Sequence, residues 1–586
     1  MRRFFITSLF SLIIVSLFSQ KAEVRGQISD AINNEPVAFA NVIVAGTQIG
    51  ATTDINGDFI IKGIEPGFIQ LQVSYIGYKP TITSDIMLSN NNIPFLHIKL
   101  EQDEQVLDEV EVSANPFEKN IESPLSMQTI RTKEIESNPG SNRDISRVIQ
   151  SFPGVGSTPA YRNDVIIRGG GPSENRFFLD GIEIPVLNHF STQGASGGPV
   201  GIINADFIQS VDFYSGSFKA SSYNALSGIL DFKQKEGSKD KTNLQFAVGA
   251  SEAAATIDGH IGDKTTYIFS IRRSYLQFLF SAIGLPFLPT FNDYQFKLRT
   301  DFDAKNKLTI ISIGSLDKLK LNTGIKNPDE SQEYILTQIP INNQWSYTFG
   351  IVYNRFFKKG YHEFVVSRNM LDNRFYKYPD NDEDQPKNFD YSSTEAENKL
   401  RYELTIQQNG FKYNFTLNSE YAKYYNSTSQ QLFIDDSLIN LKYLTNLDLI
   451  KYGFSGQVSK SILNSRLLLS LGVRFDGNNY NSKMQNPLNQ FSPRILLSYA
   501  LTEKTSLNLG FGRYFQQPAY TTLGFRDNVG DLMNEENATY IGVTQYTAGI
   551  EHRFSESILL SVEGFRKNYF QYPIDMLTGS SLANQG

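Results

Sequence analysis

From about residue 241 onward the sequence settles into one repeating pattern, and that pattern restricts the fold more than any single motif. Runs of roughly ten residues alternate between apolar and polar positions, as an extended strand with two unlike faces requires. Leu244, Phe246, Val248 and Ala250 fall on one face; Tyr267, Phe269 and Ile271 repeat the arrangement, as do Leu507, Leu509 and Phe511. The intervening positions are mostly Asn, Gln, Ser, Thr, Gly or charged. Short polar turns occur at Gly262-Asp263, Ala304 to Asn306, Lys358 to Gly360, Asn409-Gly410, Leu463 to Ser465, Glu503-Lys504 and Ser555-Glu556. Between them lie longer polar connections such as 315–341, 371–392 and 515–540. A soluble sandwich also alternates. Short turns at one end and long loops at the other predict instead a transmembrane antiparallel β-barrel, the strand structure that satisfies its backbone in lipid.

Composition agrees with strands that cross a membrane. Aromatics make up 13% of the chain, with 30 Tyr, 43 Phe and one Trp, while total hydrophobic content is an ordinary 40%. Barrels concentrate aromatics at the rims and keep a polar interior. The chain has no cysteine, which excludes disulfides, Cys-ligated zinc and thiol nucleophiles. The net charge of −7 gives no sign of a nucleic-acid partner. Residues 1–20 read as a signal peptide: Arg2 and Arg3 precede the apolar run Phe4 to Phe18, with cleavage expected between Ser19 and Lys21. The expected location is therefore the outer membrane, after export.

Ahead of the barrel the chain divides into smaller units. Residues 21–103 read as a β-sandwich of about seven short strands. Asn56-Gly57 predicts a hairpin turn there, and the Asp54, Asn56, Asp58 spacing belongs to that turn, since the later ligands of a calcium loop are missing. Residues 104–115 form an acidic linker, and 116–236 a compact α+β unit. Within it a helix is predicted over 141–151, capped by Ser141 or Asn142, with Ile145, Val148 and Ile149 on one face. Residues 237–586 are assigned to the barrel. Its seven turns bracket about fifteen strands. Single-chain bacterial barrels use even numbers, and an open edge cannot face lipid, so the expectation is a C-terminally truncated, partial barrel.

The stretch DVIIRGGGPSENRFFLDGIEIP, 164–185, has the glycines of a phosphate loop. Pro172 removes one donor, however, no Gly-Lys-Ser/Thr follows, and Arg176 to Leu179 reads as a strand rather than a helix. Gly169 to Gly171 are better explained by close backbone packing. Arg168 beside them would need a carboxylate partner where this unit meets a barrel wall. His97, His189, His260, His362 and His552 share no metal-ligand spacing and read as scattered surface or lumen residues. No nucleophile elbow or cofactor motif appears, so neither an enzyme nor a cofactor is expected. The acidic run Asp380 to Asp384 reads as a solvated loop face. Phe375, Tyr376, Tyr378 and Tyr391 are loop aromatics that suit either rim anchoring or stacking on a sugar or an iron chelate.

These pieces, in this order, resemble a TonB-dependent outer-membrane receptor of the Bacteroidetes type. VRGQISDAINNEPVAFANVIVAGT, TTDINGDFIIKGI and VSYIGYK are similar to the carboxypeptidase-regulatory-like extension, which is a β-sandwich and implies no peptidase. LDEVEVSA, 107–114, looks like the segment that precedes family plugs. SFPGV, IIRGGGPSENRFFLDGIEI and VDFYSGSFKASSYNALSGILDF resemble the plug, with Tyr223-Asn224-Ala225 standing where Tyr-Gly-Asn is usual. SPRILLSYAL, GFGRYFQQP and VEGFRKNY are looser barrel echoes. The resemblance implies a plugged barrel in which roughly 15 of an expected 22 strands are present. It implies that Leu107, Asp108, Glu109, Val110, Glu111 and Val112 contact a TonB-type energy-coupling protein. It places Arg168, Gly169, Gly170, Asp180 and Gly181 in the plug core. The implied function is import of a scarce extracellular solute (siderophore, oligosaccharide, peptide or cobalamin) into the periplasm. The alternative is a surface receptor or signal transducer without net transport. A surface lipoprotein is a further candidate partner, although NPFEKNIESPLS follows where the lipoprotein-associated form carries an extended signature.

Overall fold

Fifteen strands, from Asn243–Val248 to Ile558–Phe570, join in sequence order into one antiparallel sheet in the computed structural model. The structure describes residues 21–89, 93–102, 122–123, 125–139, 144–156, 163–191, 193, 197–249, 251–434, 437–527, 529–555 and 558–574. Those two strands are the edges of the sheet. Every internal strand pairs with both sequence neighbours, so the backbone groups of the spanning region are satisfied within the ladder.

Burial along the strands is inverted relative to a soluble protein. Leu244, Val366, Leu417, Ile450 and Val562 point outward and are exposed. Gln295, Thr348, Asn414, Gln457, Ser470 and Asn508 point inward and are buried. Apolar outside and polar inside is the polarity of a wall facing lipid around a polar lumen. Among the described residues no helix is long and apolar enough to cross a membrane.

Six of the seven predicted turns join consecutive strands; of the seventh, Ser555-Glu556, Ser555 pairs with Ile558 of the next strand, and Glu556 lies outside the described residues. Asn409 and Gly410 both take positive φ (+53° and +71°), as a two-residue hairpin twisted to match its strands requires. The loops at the other end are shorter than the sequence predicts. Strands continue to Leu321 and Lys377, leaving connections at 322–340 and 378–388. Phe411–Ile434 and Ser437–Ile462 run for 24 and 26 residues, far beyond the roughly 9–11 that cross lipid. Above the membrane both faces of a strand meet water, so its sequence turns polar and reads as loop.

The N-terminal unit is a β-sandwich of nine strands rather than seven. Ala22–Asp30 lies between Asp58–Ile64 and Phe95–Leu100 in one sheet. Gly50–Thr52, Asn41–Val44, Leu71–Ser74 and Thr81–Ile82 form the second, and Gly67–Ile69 pairs with Ile86–Leu88 apart from both, over a core of Val24, Ile28, Val42, Ile61, Leu71 and Leu100. Asn56-Gly57 does not close a hairpin, because Gly50–Thr52 and Asp58–Ile64 belong to different sheets. It turns a corner between them. Asp54 Oδ1 accepts from the backbone N–H of Asn56 and Asp58 at 2.8 and 2.9 Å, which accounts for the acidic spacing without a cation.

This unit rests on the short-turn end of the barrel. Asn34 Nδ2 donates to Ala304 O (2.7 Å), Lys307 Nζ donates to Asn34 Oδ1 (2.8 Å), and Arg25 lies 3.4 Å from Asp240. His97 is 3.8 Å from Asp301, but burial and the nearby Arg299 cation hold its pKa well below the ordinary histidine value, so the contact is not an ion pair at neutral pH.

The plug unit is built on a five-stranded sheet, ordered Met127–Arg131, Ile208–Tyr214, Gly228–Gln234, Asn175–Leu179, Ile182–Ile184. It carries helices at Thr132–Ser137 and Ile145–Gln150; the second is the predicted one and is capped by Asp144, whose side chain accepts from Ser146 N. The predicted caps Ser141 and Asn142 lie outside the described residues. Ile145, Val148 and Ile149 are buried in the shared core, as their spacing predicts.

Gly57 has φ +76°, and an added Cβ would sit 2.4 Å from Ile28 O. Gly57→Ala is expected to destabilise the sandwich by about 1–3 kcal/mol, seen as a lowered first transition in calorimetry of the detergent-solubilised chain with the barrel transition unmoved.

Candidate functional site

The glycine stretch lies where the plug meets the strand Ile558–Phe570. Ile166–Ile167 ends in Arg168 and Gly169, both left-handed at φ +50° and +73°. A Cβ on Gly170 would come within 1.8 Å of Ser227 Oγ, so a side chain at that position cannot be accommodated without displacement. Pro172–Glu174 then makes one 3-10 turn, and the N–H of Gly171 donates to Glu174 Oε1 (3.1 Å). The position an anion would take is thus filled by the chain's own carboxylate. Glu174 also accepts from Ser227 Oγ, from Tyr569 Oη (2.8 Å) and from Tyr572 Oη (3.1 Å). Arg168 pairs with Glu563 and stacks 4.9 Å over Phe565. Lys567 Nζ donates to Ser227 Oγ at 2.7 Å. The inward face of this barrel strand thus supplies Glu563, Phe565, Lys567 and Tyr569 to the glycine turn.

Asp180 and Gly181 form the two-residue hairpin between Asn175–Leu179 and Ile182–Ile184, with φ +47° and +84°. Asp180 accepts from Gln234 N (3.1 Å) and Nε2 (2.9 Å) and pairs with Lys297 at 3.2 Å. Lys297 also reaches Glu236, which pairs in turn with Arg299. The two halves of the sequence motif thus anchor to opposite regions of the wall. Leu107 to Val112 lie outside the described residues.

His189 is not a scattered lumen residue. It is fully buried between two carboxylates on adjacent strands: Nδ1 is 2.7 Å from Asp317 and Nε2 3.0 Å from Asp293. The ring stacks on Phe291 at 4.1 Å, and Arg272 Nε donates to Asp293 at 2.9 Å. With an acceptor at each nitrogen, both must carry protons. Burial disfavours the charged ring, but Asp317 and Asp293 outweigh it and raise His189 to about 9. A lone histidine at 189 carries no signal of this kind, because its partners lie 104 and 128 residues away.

On the long-loop side of the plug is a cavity of about 130 Å³. The end of the strand Thr505–Gln516 and the residues Gln517 to Tyr520 after it roof the cavity: Gln517 N donates to Asn224 Oδ1 (2.9 Å), and Gln516 Nε2 donates to Ser173 O (2.7 Å). Asn224 stands at φ +56°, a region that asparagine tolerates, and its side chain makes a loop contact that glycine could not. The lining carries Arg176, Glu183, Glu395, Glu397 and Lys451. Lys399 lies 2.8 Å from both Glu183 and Glu397, and Tyr520 Oη donates to Glu397 (2.6 Å) while stacking on Tyr424. Burial opposes the charge on Glu183, but Lys399 outweighs it and holds this plug carboxyl below its ordinary range. Of the expected loop aromatics, Phe375, Tyr376 and Tyr391 sit on strands, and Tyr391 Oη donates to Gln193 of the plug at 2.5 Å.

Arg168→Met is expected to leave Glu563 without its cation and to loosen the plug by about 3 kcal/mol or more, measured as faster proteolysis of residues 125–235 in the folded protein. The His189 anchor has the opposite sign to a carboxylate. Its contribution is complete below about pH 6.5 and is lost as pH rises through about 9. His189→Gln should remove that alkaline loss of plug protection.

The comparisons with known proteins match this architecture in three parts. The CarboxypepD_reg-like domain matches residues 24–112, the TonB-dependent receptor plug domain residues 119–229, and the TonB-dependent receptor-like β-barrel residues 290–586. Among curated proteins, the TonB-dependent receptor SusC of Bacteroides thetaiotaomicron is 25% identical over 43% of this chain and 25% of its own length. The TonB-dependent transporter Oar of Myxococcus xanthus is 23% identical over 39% of this chain and 22% of its own. The matched segments therefore span a quarter or less of these relatives. Among solved structures, a mutant of the ferric enterobactin receptor PfeA from Pseudomonas aeruginosa superposes with TM-score 0.57 at 17% identity, covering 78% of this chain and 73% of that one. The outer membrane transporter YddB from Escherichia coli gives 0.56 at 12%, covering 78% and 71%. At these identities the likeness is one of fold. The barrel match alone extends over just over half of the sequence, and the chain belongs to the TonB-dependent receptor family.

Proposed function

We propose that this chain acts in import: it binds a scarce extracellular solute and passes it to the periplasm when a TonB-type inner-membrane complex pulls on the plug. The observation that carries this reading is the chemistry of the seam between plug and wall. Arg168–Glu563, Asp180–Lys297, Glu183–Lys399 and the His189 clamp are polar contacts that water can replace as the plug moves. The apolar part of the seam is confined to two patches: Ile311, Ile313, Val352 and Val365 of the wall join the plug core, and Tyr514, Ile541 and Val543 pack with Phe178, Phe218, Leu226 and Ile229 of the plug. Water can take over the polar contacts as the plug is remodelled, so the hydrophobic cost is limited to those two patches.

Under this reading residues 1–20 direct export, 104–115 link the sandwich to the plug, and Leu107 to Val112 add as a strand to the sheet edge of the coupling protein. The lumenal cavity receives part of the solute. Its lining sets Glu183, Glu395 and Glu397 against Arg176 and Lys451, and Lys399 pairs with both Glu183 and Glu397 at 2.8 Å, so the charges around the cavity nearly balance. A neutral, hydrogen-bonding ligand such as a polyol suits such a lining. The ferric enterobactin receptor PfeA shares the fold, and the near balance of charge in this lining supports a neutral cargo over a strongly anionic one.

Deletion of residues 107–112 is expected to abolish uptake while leaving the protein folded in the membrane and solute binding intact. Unchanged uptake would sink the coupling assignment. Solute bound by cells but never internalised, with the coupling protein present, would favour a surface receptor.

A further inference from the structure

A groove of about 730 Å³ runs across the outer wall between the strands Asn243–Val248 and Ile341–Phe357, in the half nearer the long loops. Its floor is made where side chains are small: Ala253, Ala255 and Gly314. Its sides are aromatic, with Phe246 at one edge and Tyr294, Trp345 and Tyr347 toward the other. Those walls are held in place. Trp345 and Tyr347 stack with ring planes 9° apart, Arg368 Nε donates to Tyr347 Oη (2.9 Å), and Tyr294 Oη bonds with Ser312 Oγ (3.0 Å). A Cβ on Gly314 would come within 2.7 Å of the Tyr294 ring, so glycine is what lets the ring lie flat along the floor. The groove is therefore formed before anything enters it.

Charge marks one end. Arg273, Lys318 and Lys320 are exposed on the same outer face, on the long-loop side of the groove. Arg273 Nη1 donates to Asn292 Oδ1, and among the described residues none of the three cations has a carboxylate within ion-pair distance. An apolar slot that opens onto unpaired cations at the edge of a lipid-facing wall complements an amphiphile with an acyl chain and a negative head. We infer that this groove is a binding site for an anionic, phosphate-bearing membrane lipid, with one acyl chain between Phe246 and Trp345 and the phosphate against Arg273, Lys318 and Lys320.

Trp345 is the chain's single tryptophan, so its fluorescence reports the groove directly. The experiment reconstitutes the full chain in vesicles and measures quenching of Trp345 by brominated-acyl phosphatidylglycerol and by brominated-acyl phosphatidylcholine with identical chains. The expected result is at least a fivefold preference for the anionic lipid. R273A/K318A/K320A should bring that ratio close to one. A255L, which fills the floor from the lipid side, should lower the affinity for both lipids at least threefold while leaving the charge preference of the remaining sites unchanged. Inorganic phosphate alone should not reverse the quenching, which separates a lipid headgroup from a free anion. Equal quenching by the two lipids in the unsubstituted chain overturns the proposal. So does a preference that survives the triple substitution, or protection of Trp345 from both lipids by a co-purifying protein.

Discussion

Hydrocarbon offers no hydrogen bonds, and the rest of this structure follows from that. A strand wall in lipid must satisfy every N–H and C=O along its own ladder and turn its apolar side chains outward. Alternation then sends the polar side chains inward, so the lumen is lined by Asn, Gln, Ser, Thr and charge. A domain seated in such a lumen meets apolar wall residues only in patches, around Ile311 and Val352 and around Tyr514 and Val543. Elsewhere it is held by polar contacts, and its glycines and arginines answer that requirement.

The seam is organised at separate points. Arg168 and Glu174 meet one strand, His189 is clamped between two others, and Glu183 enters a network on a third region of the wall. Buried ionic contacts of this type add little net stability over an apolar alternative, yet losing one partner is costly because the other charge is stranded. Such a seam combines definite geometry with the capacity to come apart when all its members are rehydrated together. The Glu174 carboxylate shows how local the solution can be. It caps its own turn and accepts from two tyrosines of the wall, filling the seat that made the glycines look like a phosphate loop.

Several features were legible in the sequence because they depend on neighbours within a few residues. The turn at Asn409-Gly410 needs two positive φ values, and only a few residue types supply them. The buried face of Ile145, Val148 and Ile149 follows from helical spacing. Where the reading and the structure part, a longer-range contact decides. Asn56-Gly57 has the sequence of a hairpin turn, but the strands it joins find partners in different sheets. The strands ending at Leu321 and Lys377 lose their apolar face where lipid gives way to water, so their upper halves look like loops.

The sequence by itself determined the wall and the order of its parts, because strand alternation and turn chemistry are properties of adjacent residues under one environmental constraint. It also determined that Arg168 must find a counter-charge. Only the tertiary structure decided that Glu563, 395 residues away, supplies it, that Asp293 and Asp317 close on His189, and that Asn224 reaches the backbone of Gln517. Those pairings arise when a separate domain is enclosed by a curved sheet. Sequence spacing carries no record of which side chains then face one another across the seam.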